Sequence, residues 1–327
     1  MRSPAVRSTW IAGILLAAAG CDAPTAPTGP DAARSGSTPE HAAAAQGTEE
    51  GIYELGEFAL YVPAAPEGPR ALLVALGGPN TKAIVTGEPF GAPFPPVEAA
   101  LQGMGQSLRD FADEHRIAIL GTSRAAMPSG AASDQIIVDA IAAGAEASGA
   151  AKLTSVPLIF YGISGGAPEA SGFTARHPER VAGLFLKVPD MLATLTTAAQ
   201  REVPIFMVLA EFDAFVDNAA LAQGFAANRG AGALWAMAME PGVPHHALTP
   251  NHLAATLEWM DAVTSHRLAG ASGRIRAVAE QSGWLGDPAS GEVSPWGRYA
   301  GDRATASWFP TRATAEAWQA LIGATGP

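Results

Sequence analysis

The feature that most constrains this chain is a repeated alternation of short apolar runs with amphipathic segments. The runs are Ala71–Leu76, Ile117–Gly121, Pro157–Tyr161, Val181–Lys187, Pro204–Leu209 and Ala233–Met239. Apolar runs without polar alternation suit strands covered on both faces, as in a parallel sheet between helices. Ahead of them, Tyr53–Val62 reads as a strand pair. Val97, Leu101, Met104, Leu108 and Phe111 recur at four- and three-residue spacings, which is one face of a helix. Ser133 is placed to cap a helix carrying Ile137 and Ile141, and Asn218 to start one carrying Leu221 and Phe225. Thr249-Pro250 opens a helix with Leu253, Leu257 and Met260 on its buried side. The pattern predicts an α/β fold over residues 51–265: a doubly wound, mostly parallel sheet with helices on both faces. Hydrophobic residues make up 48% of the 327, enough for a sizeable core.

The third of these runs leads into Gly162-Ile163-Ser164-Gly165-Gly166. A G-x-S-x-G pentapeptide between a strand and a helix holds its serine on a sharp turn, with the hydroxyl projecting from the sheet edge. Side chains two before and two after the serine would strike the neighbouring elements, so glycine is required at both places. The helix that follows presents unpaired N–H groups to negative charge at the serine. In a chain with 36 glycines the pentapeptide alone says little; the strand before it and the helical pattern after it give it meaning.

On these residues the chain resembles the α/β-hydrolase superfamily across residues 51–265, and in layout secreted esterases of the feruloyl-esterase and polyhydroxybutyrate-depolymerase type. The resemblance implies Ser164 as nucleophile, with an acid and then a histidine downstream. A serine hydroxyl is a weak nucleophile at neutral pH and needs a base, itself oriented by a carboxylate. The acid position matches Asp213, three residues past Ala210 and three before Val216. Asp190 and Glu211 are alternatives, and Asp217 reads as a helix cap before Asn218. The base falls in Gly242-Val243-Pro244-His245-His246, where the family's G-x-x-H spacing selects His245 and leaves His246 as the alternative. His115, His177 and His252 read as structural or solvent-facing.

Acyl transfer passes through an oxyanion that two backbone N–H groups usually stabilise. The resemblance assigns one to Gly165 and the other to the loop Gly77-Gly78-Pro79-Asn80. Pro79 has no N–H, so Gly78 is the candidate, with Asn80 as the alternative. The following stretch, to Pro96, is rich in Pro and Gly, and its Phe90 and Phe94 either line a pocket or anchor the loop. Few residues separate Lys187 from Pro204, so no large cap domain is expected and the site should be open.

Residues 1–20 carry Arg2 and Arg7 ahead of an apolar run, Trp10–Ala19, too short to cross a bilayer and of the length of a secretory leader. The run ends in Ala18-Ala19-Gly20-Cys21, which resembles a bacterial lipoprotein signal, with Ala18 where Leu is commoner. Cys21 is the chain's single cysteine, so no internal disulfide forms. Residues 21–50, rich in Pro, Thr, Ala and Gly, read as a tether. Membrane contact is expected only through a lipidated Cys21, on the periplasmic or extracellular side.

A formal charge of −11 without a basic cluster excludes nucleic acid as a partner. Residues 266–327 form a Trp-rich extension (Trp284, Trp296, Trp308, Trp318) that either packs on the main domain or offers an aromatic surface to sugars or polymer. The expected activity is an extracytoplasmic serine esterase acting on small or polymeric esters through an acyl-enzyme, without metal or organic cofactor. The alternatives are an acyltransferase or peptidase with the same triad, or a binding lipoprotein on a retired scaffold.

Overall fold

A computed structural model describes residues 51–77, 80–88, 95–123, 127–128, 130–189, 197–270 and 274–323. The chain opens with an antiparallel pair, β1 (Ile52–Leu55) and β2 (Phe58–Tyr61). Then follow β3 (Ala71–Gly77), α1 (Lys82–Thr86), α2 (Pro95–His115), β4 (Ile117–Thr122), α3 (Ala131–Ser148) and β5 (Leu158–Ile163). After it come α4 (Ala167–Arg176), β6 (Val181–Lys187), α5 (Ala198–Arg201), β7 (Ile205–Phe212), α6 (Asn218–Gly230), β8 (Trp235–Pro244) and α7 (Pro250–Arg267).

The eight strands form one sheet in the order β1-β2-β4-β3-β5-β6-β7-β8, parallel from β4 to β8. Alternation sorts each strand's side chains to two cores. Leu73, Ala75, Ile159, Tyr161, Phe185 and Phe206 face α1, α2 and α7, where Met104, Leu108, Trp259 and Met260 meet them. Leu72, Val74, Phe160, Leu184 and Met207 face α3, α4 and α6, against Ile137, Phe173 and Phe225. Both faces are therefore covered, which is why the strands read as unbroken apolar runs.

β3 has β4 on one side and β5 on the other, so the winding direction reverses between β3 and β5. Open α/β sheets form their crevice at such a reversal, outside the carboxyl ends of the strands. The loops after Gly77 and Ile163 leave the sheet side by side at that point, as the pairing Gly77↔Ile163 shows.

Two expectations are corrected, and two helix caps hold. Ser133 does not cap α3: Gly130, at φ 72°, is the N-cap, and Ser133 lies buried in the first turn with its hydroxyl unpartnered. The entering chain turns through a left-handed glycine, so the helix starts earlier than the serine suggests. β7 and β8 both run past their apolar stretches, pairing Ala210↔Glu240 while still buried and Phe212↔Pro244 beyond the sheet's covered part. Glu211 and Phe212 are exposed there, so hydrophobicity alone did not reveal the ribbon. Asp217 and Thr249 do cap α6 and α7, accepting N–H bonds from Ala219 and Ala220, and from His252.

The C-terminal part begins with the short pair β9 (Leu268–Ala269) and β10 (Arg274–Ile275). A small antiparallel sheet of β11 (Trp284–Gly286), β12 (Val293–Pro295) and β13 (Ser307–Phe309) follows, then α8 (Arg312–Leu321). Trp308 and Trp318 are fully buried in the core under α7, and Trp284 and Trp296 pack half-buried against it. Ser307 Oγ accepts the Met237 N–H at 3.0 Å and donates to the Met237 carbonyl at 3.1 Å, so this part occupies the free edge of β8. Arg229, buried in α6, donates to the carbonyls of Ala306 and Arg303 and pairs with Glu280 at 3.0 Å.

Candidate active site

Ser164 follows β5 directly, with φ 48° in the left-handed region, a conformation that costs a non-glycine residue about 1–2 kcal/mol. The neighbouring glycines show how the turn is held. A Cβ on Gly166 would lie 2.3 Å from the Leu76 carbonyl carbon and 2.4 Å from the Gly77 nitrogen. A Cβ on Gly162 would come within 3.0 Å of the Ala167 Cα and of the Leu186 side chain. The elbow is thus wedged against the end of β3, and only glycine fits. A 3-10 turn, Ser164–Gly166, runs into α4, and Gly165 is exposed beside the serine.

His245 immediately follows β8, and its side chain is 6% exposed. Its Nε2 stands 2.9 Å from Ser164 Oγ, and its Nδ1 stands 2.7 Å from Asp213 Oδ2. With Nδ1–H donating to the carboxylate, Nε2 is free to accept the serine proton. Asp213 immediately follows β7, its side chain wholly buried. Its second oxygen accepts the N–H groups of Phe215 at 2.8 Å and Val216 at 3.1 Å, which fixes the carboxylate in a local turn.

Of the alternatives weighed on sequence, His246 is exposed and its ring meets that of His245 edge-on, with centroids 4.9 Å apart, while His245 is the histidine bonded to Ser164. Burial, and then the neighbouring His245, lower its pKa from the ordinary value. Glu211 accepts the Gly242 N–H at 2.7 Å, bracing the β7–β8 ribbon. Asp190, Gly78, Phe90, Phe94 and Cys21 lie outside the described residues. Asn80 is described, and its side-chain oxygen is buried without a hydrogen-bond partner.

Three features escaped the sequence reading. Thr81, fully buried, donates to the Ala75 carbonyl at 2.7 Å and accepts the Thr122 N–H at 3.0 Å. It fastens the chain where it returns from the loop after β3. Below His245, Lys187 and Glu240, exposed by only 1% and 4%, pair at 2.9 Å across the end of β7. The other oxygen of Glu240 accepts from the Thr249 hydroxyl at the cap of α7, so one carboxylate ties together both flanks of the histidine loop. Burial lowers the Lys187 pKa, while Glu240 and then Asp213 work to raise it. Beside this pair His252 is fully buried, with Nε2 3.0 Å from the Tyr161 hydroxyl. Burial, reinforced by Lys187, holds its pKa well below the usual value. A lysine at a strand end and a glutamate within a strand carry no signal of this pairing, which joins residues 53 apart. The third feature is Phe215, whose ring meets His245 edge-on with centroids 5.1 Å apart.

Among the described residues no cluster of three or more His, Cys, Asp or Glu is arranged to hold a metal, and no helix is long and apolar enough to cross a membrane.

The sheet order and the strand–serine–helix elbow at its winding reversal are those of the α/β-hydrolase fold. No family model matches the sequence, and no curated protein is significantly similar to it. Among solved structures the chain is similar to a Bacillus cereus carboxylesterase (14% identity, TM-score 0.44, covering 63% of this chain and 93% of that one). It is also similar to Candida antarctica lipase A (13%, 0.47, 70% and 77%). A third likeness is to an Agrobacterium tumefaciens S-formylglutathione hydrolase (14%, 0.43, 68% and 93%).

Proposed function

We propose that the protein is a serine hydrolase of carboxylic esters. The observation that carries this reading is the unbroken hydrogen-bond chain Asp213–His245–Ser164, with the serine on a strained elbow. Ser164 Oγ attacks the ester carbonyl while His245 Nε2 takes its proton. Asp213 holds the imidazole in the required tautomer and stabilises the imidazolium. The oxyanion forms beside the first amides of the helical turn, where the Gly165 N–H is one donor; the loop after β3, at Gly78 or Asn80, supplies the second. As the tetrahedral adduct collapses, the bond to the alcohol oxygen breaks and Nε2 gives its proton to that oxygen. Water, activated by the same histidine, then releases the acid.

On this reading the enzyme works outside the cytoplasm, held at a membrane by a lipidated Cys21. The support is the short apolar leader, the small residues before Cys21 and the tether after it. Cys21→Ser should shift the protein from the membrane to the soluble fraction; a variant that stays at the membrane would end the lipoprotein reading.

The catalytic reading is tested with a p-nitrophenyl acyl-ester series and with a fluorophosphonate label, on the wild type and on Ser164→Ala. Hydrolysis and labelling that both disappear in the variant are expected. A folded wild type that neither hydrolyses nor labels would overturn the proposal.

A further inference from the structure

Among the described residues, Phe212 and Phe215 are the exposed large hydrophobic side chains, at 65% and 72%. Both stand on the segment that carries Asp213. A phenyl ring left in water forfeits transfer free energy, so two of them beside one carboxylate invite a ligand. Neither is on a loose loop. Phe212 is paired in the β7–β8 ribbon opposite Pro244, the residue before His245. Phe215 is held by its N–H bond to Asp213 Oδ1 at 2.8 Å, the same carboxylate whose other oxygen faces His245. The Phe215 ring leans on His245 at 5.1 Å and on His246 at 5.7 Å between centroids.

The chemistry fixes what part of an ester reaches this surface. In the acylation step the proton on His245 Nε2 must pass to the alcohol oxygen, so that oxygen comes within hydrogen-bond reach of Nε2. The substituent on that oxygen then departs from the histidine side of the serine, where Phe215 stands. The acyl chain, bonded to the carbon under attack, points elsewhere. After the alcohol leaves, nothing of the substrate remains on this side except water. Burial, and then His245, lower the pKa of the neighbouring His246.

Building on the esterase reading, we infer that Phe215 forms the leaving-group subsite and selects esters whose alcohol is apolar or aromatic. Covering one face of a phenyl ring is worth about five- to tenfold in kcat/KM.

The test uses the full chain and two acetates, benzyl acetate and 2-methoxyethyl acetate. They share the acyl group and have alcohols of similar basicity, one aromatic and the other smaller and polar. The wild type should prefer the benzyl ester, and Phe215→Ser should remove about five- to tenfold of that preference through kcat/KM, with Phe212→Ser removing less. Turnover limited by deacylation should not change, because both esters give the same acetyl-enzyme. A second series with methanol as the common alcohol and acetyl, butyryl and hexanoyl acids should keep its profile in Phe215→Ser.

Equal loss on the benzyl and methoxyethyl esters would show that Phe215 merely positions His245, and would overturn the inference. A changed acyl-chain profile would place the ring on the acid side and overturn it as well. A wild type that hydrolyses neither ester and resists the fluorophosphonate would instead overturn the esterase reading beneath it. Both rings are exposed, so the serine variants should fold; unchanged thermal midpoints establish that before rates are compared.

Discussion

The two ends of the Ser164–His245 hydrogen bond are built in opposite ways. The serine end is local. Five consecutive residues, a preceding strand and a following helix set its geometry at φ 48°, and its one distant requirement is that Gly166 carry no side chain where the backbone of Leu76 and Gly77 passes. The histidine end is assembled from distant parts. Asp213 comes from the end of β7, Lys187 from β6, Glu240 from β8 and Thr249 from the cap of α7. Even the outer edge of β8 is steadied by the C-terminal part, through Ser307 on Met237 and the Trp318 indole on the same carbonyl at 2.8 Å. A nucleophile can be placed by backbone strain because its single hydroxyl needs only to project. A base must hold two ring nitrogens against two partners, and a loop alone has too much freedom for that.

Breaking the histidine end at its carboxylate should have the largest effect. Asp213→Asn keeps the shape but lets the amide donate to Nδ1, favouring the wrong tautomer, and should lower kcat about 10⁴-fold with little change in stability. Ester kinetics beside a denaturant melt check it; a loss under tenfold would remove Asp213 from the role.

Next in size is the buried ion pair. Lys187→Met strands the Glu240 carboxylate in the core and should destabilise the fold by about 3–5 kcal/mol. The double variant Lys187→Met/Glu240→Leu should recover most of that, yet remain slow, because Thr249 has lost its tie to β8. Urea midpoints and kcat of the single and double variants separate the two effects. A double variant with full activity would show that the strut contributes stability alone.

At the serine end, Gly166→Ala forces a methyl group into the backbone of β3. A shift of the elbow costing about 1–3 kcal/mol is expected, with a fall in fluorophosphonate labelling rate larger than any change at His245. The labelling rate and the histidine proton resonances read the two ends independently. If both ends respond alike, the separation drawn above is wrong.

The smallest effect concerns pH. His252 is held neutral in the folded protein, well below its ordinary value of 6.5. Above that value neither state binds the proton, and stability does not depend on this group. Below it the unfolded chain takes up a proton that the folded chain does not, so stability falls as pH falls, by up to about 1.4 kcal/mol per pH unit. His252→Gln should flatten the difference between urea midpoints at pH 7.5 and pH 5. Equal slopes in wild type and variant would mean that the folded protein also accepts the proton.

Much of the sheet was legible because burial on both faces writes each strand as an apolar run, and the hairpin and the caps at Asp217 and Thr249 follow from local chemistry. The ends of β7 and β8 were not. There the strands leave the covered sheet and pair only with each other, so polarity no longer tracks structure. Start signals for helices also mislead when a left-handed glycine intervenes, as Gly130 does before Ser133.

What the sequence determined by itself is the alternating α/β layout and the elbow at Ser164, since both depend on residues adjacent in the chain. It narrowed the acid to three residues and the base to two. Only the tertiary structure brought Asp213 and His245 together, set His246 aside and placed Phe215 against the imidazole. Only it paired Lys187 with Glu240 beneath the histidine loop. The physical reason is range. Backbone strain and hydrophobic period act over a few residues and leave a local pattern, whereas a buried charge is tolerated only where a partner from another strand arrives. That arrival is a property of the packed sheet rather than of any segment in it.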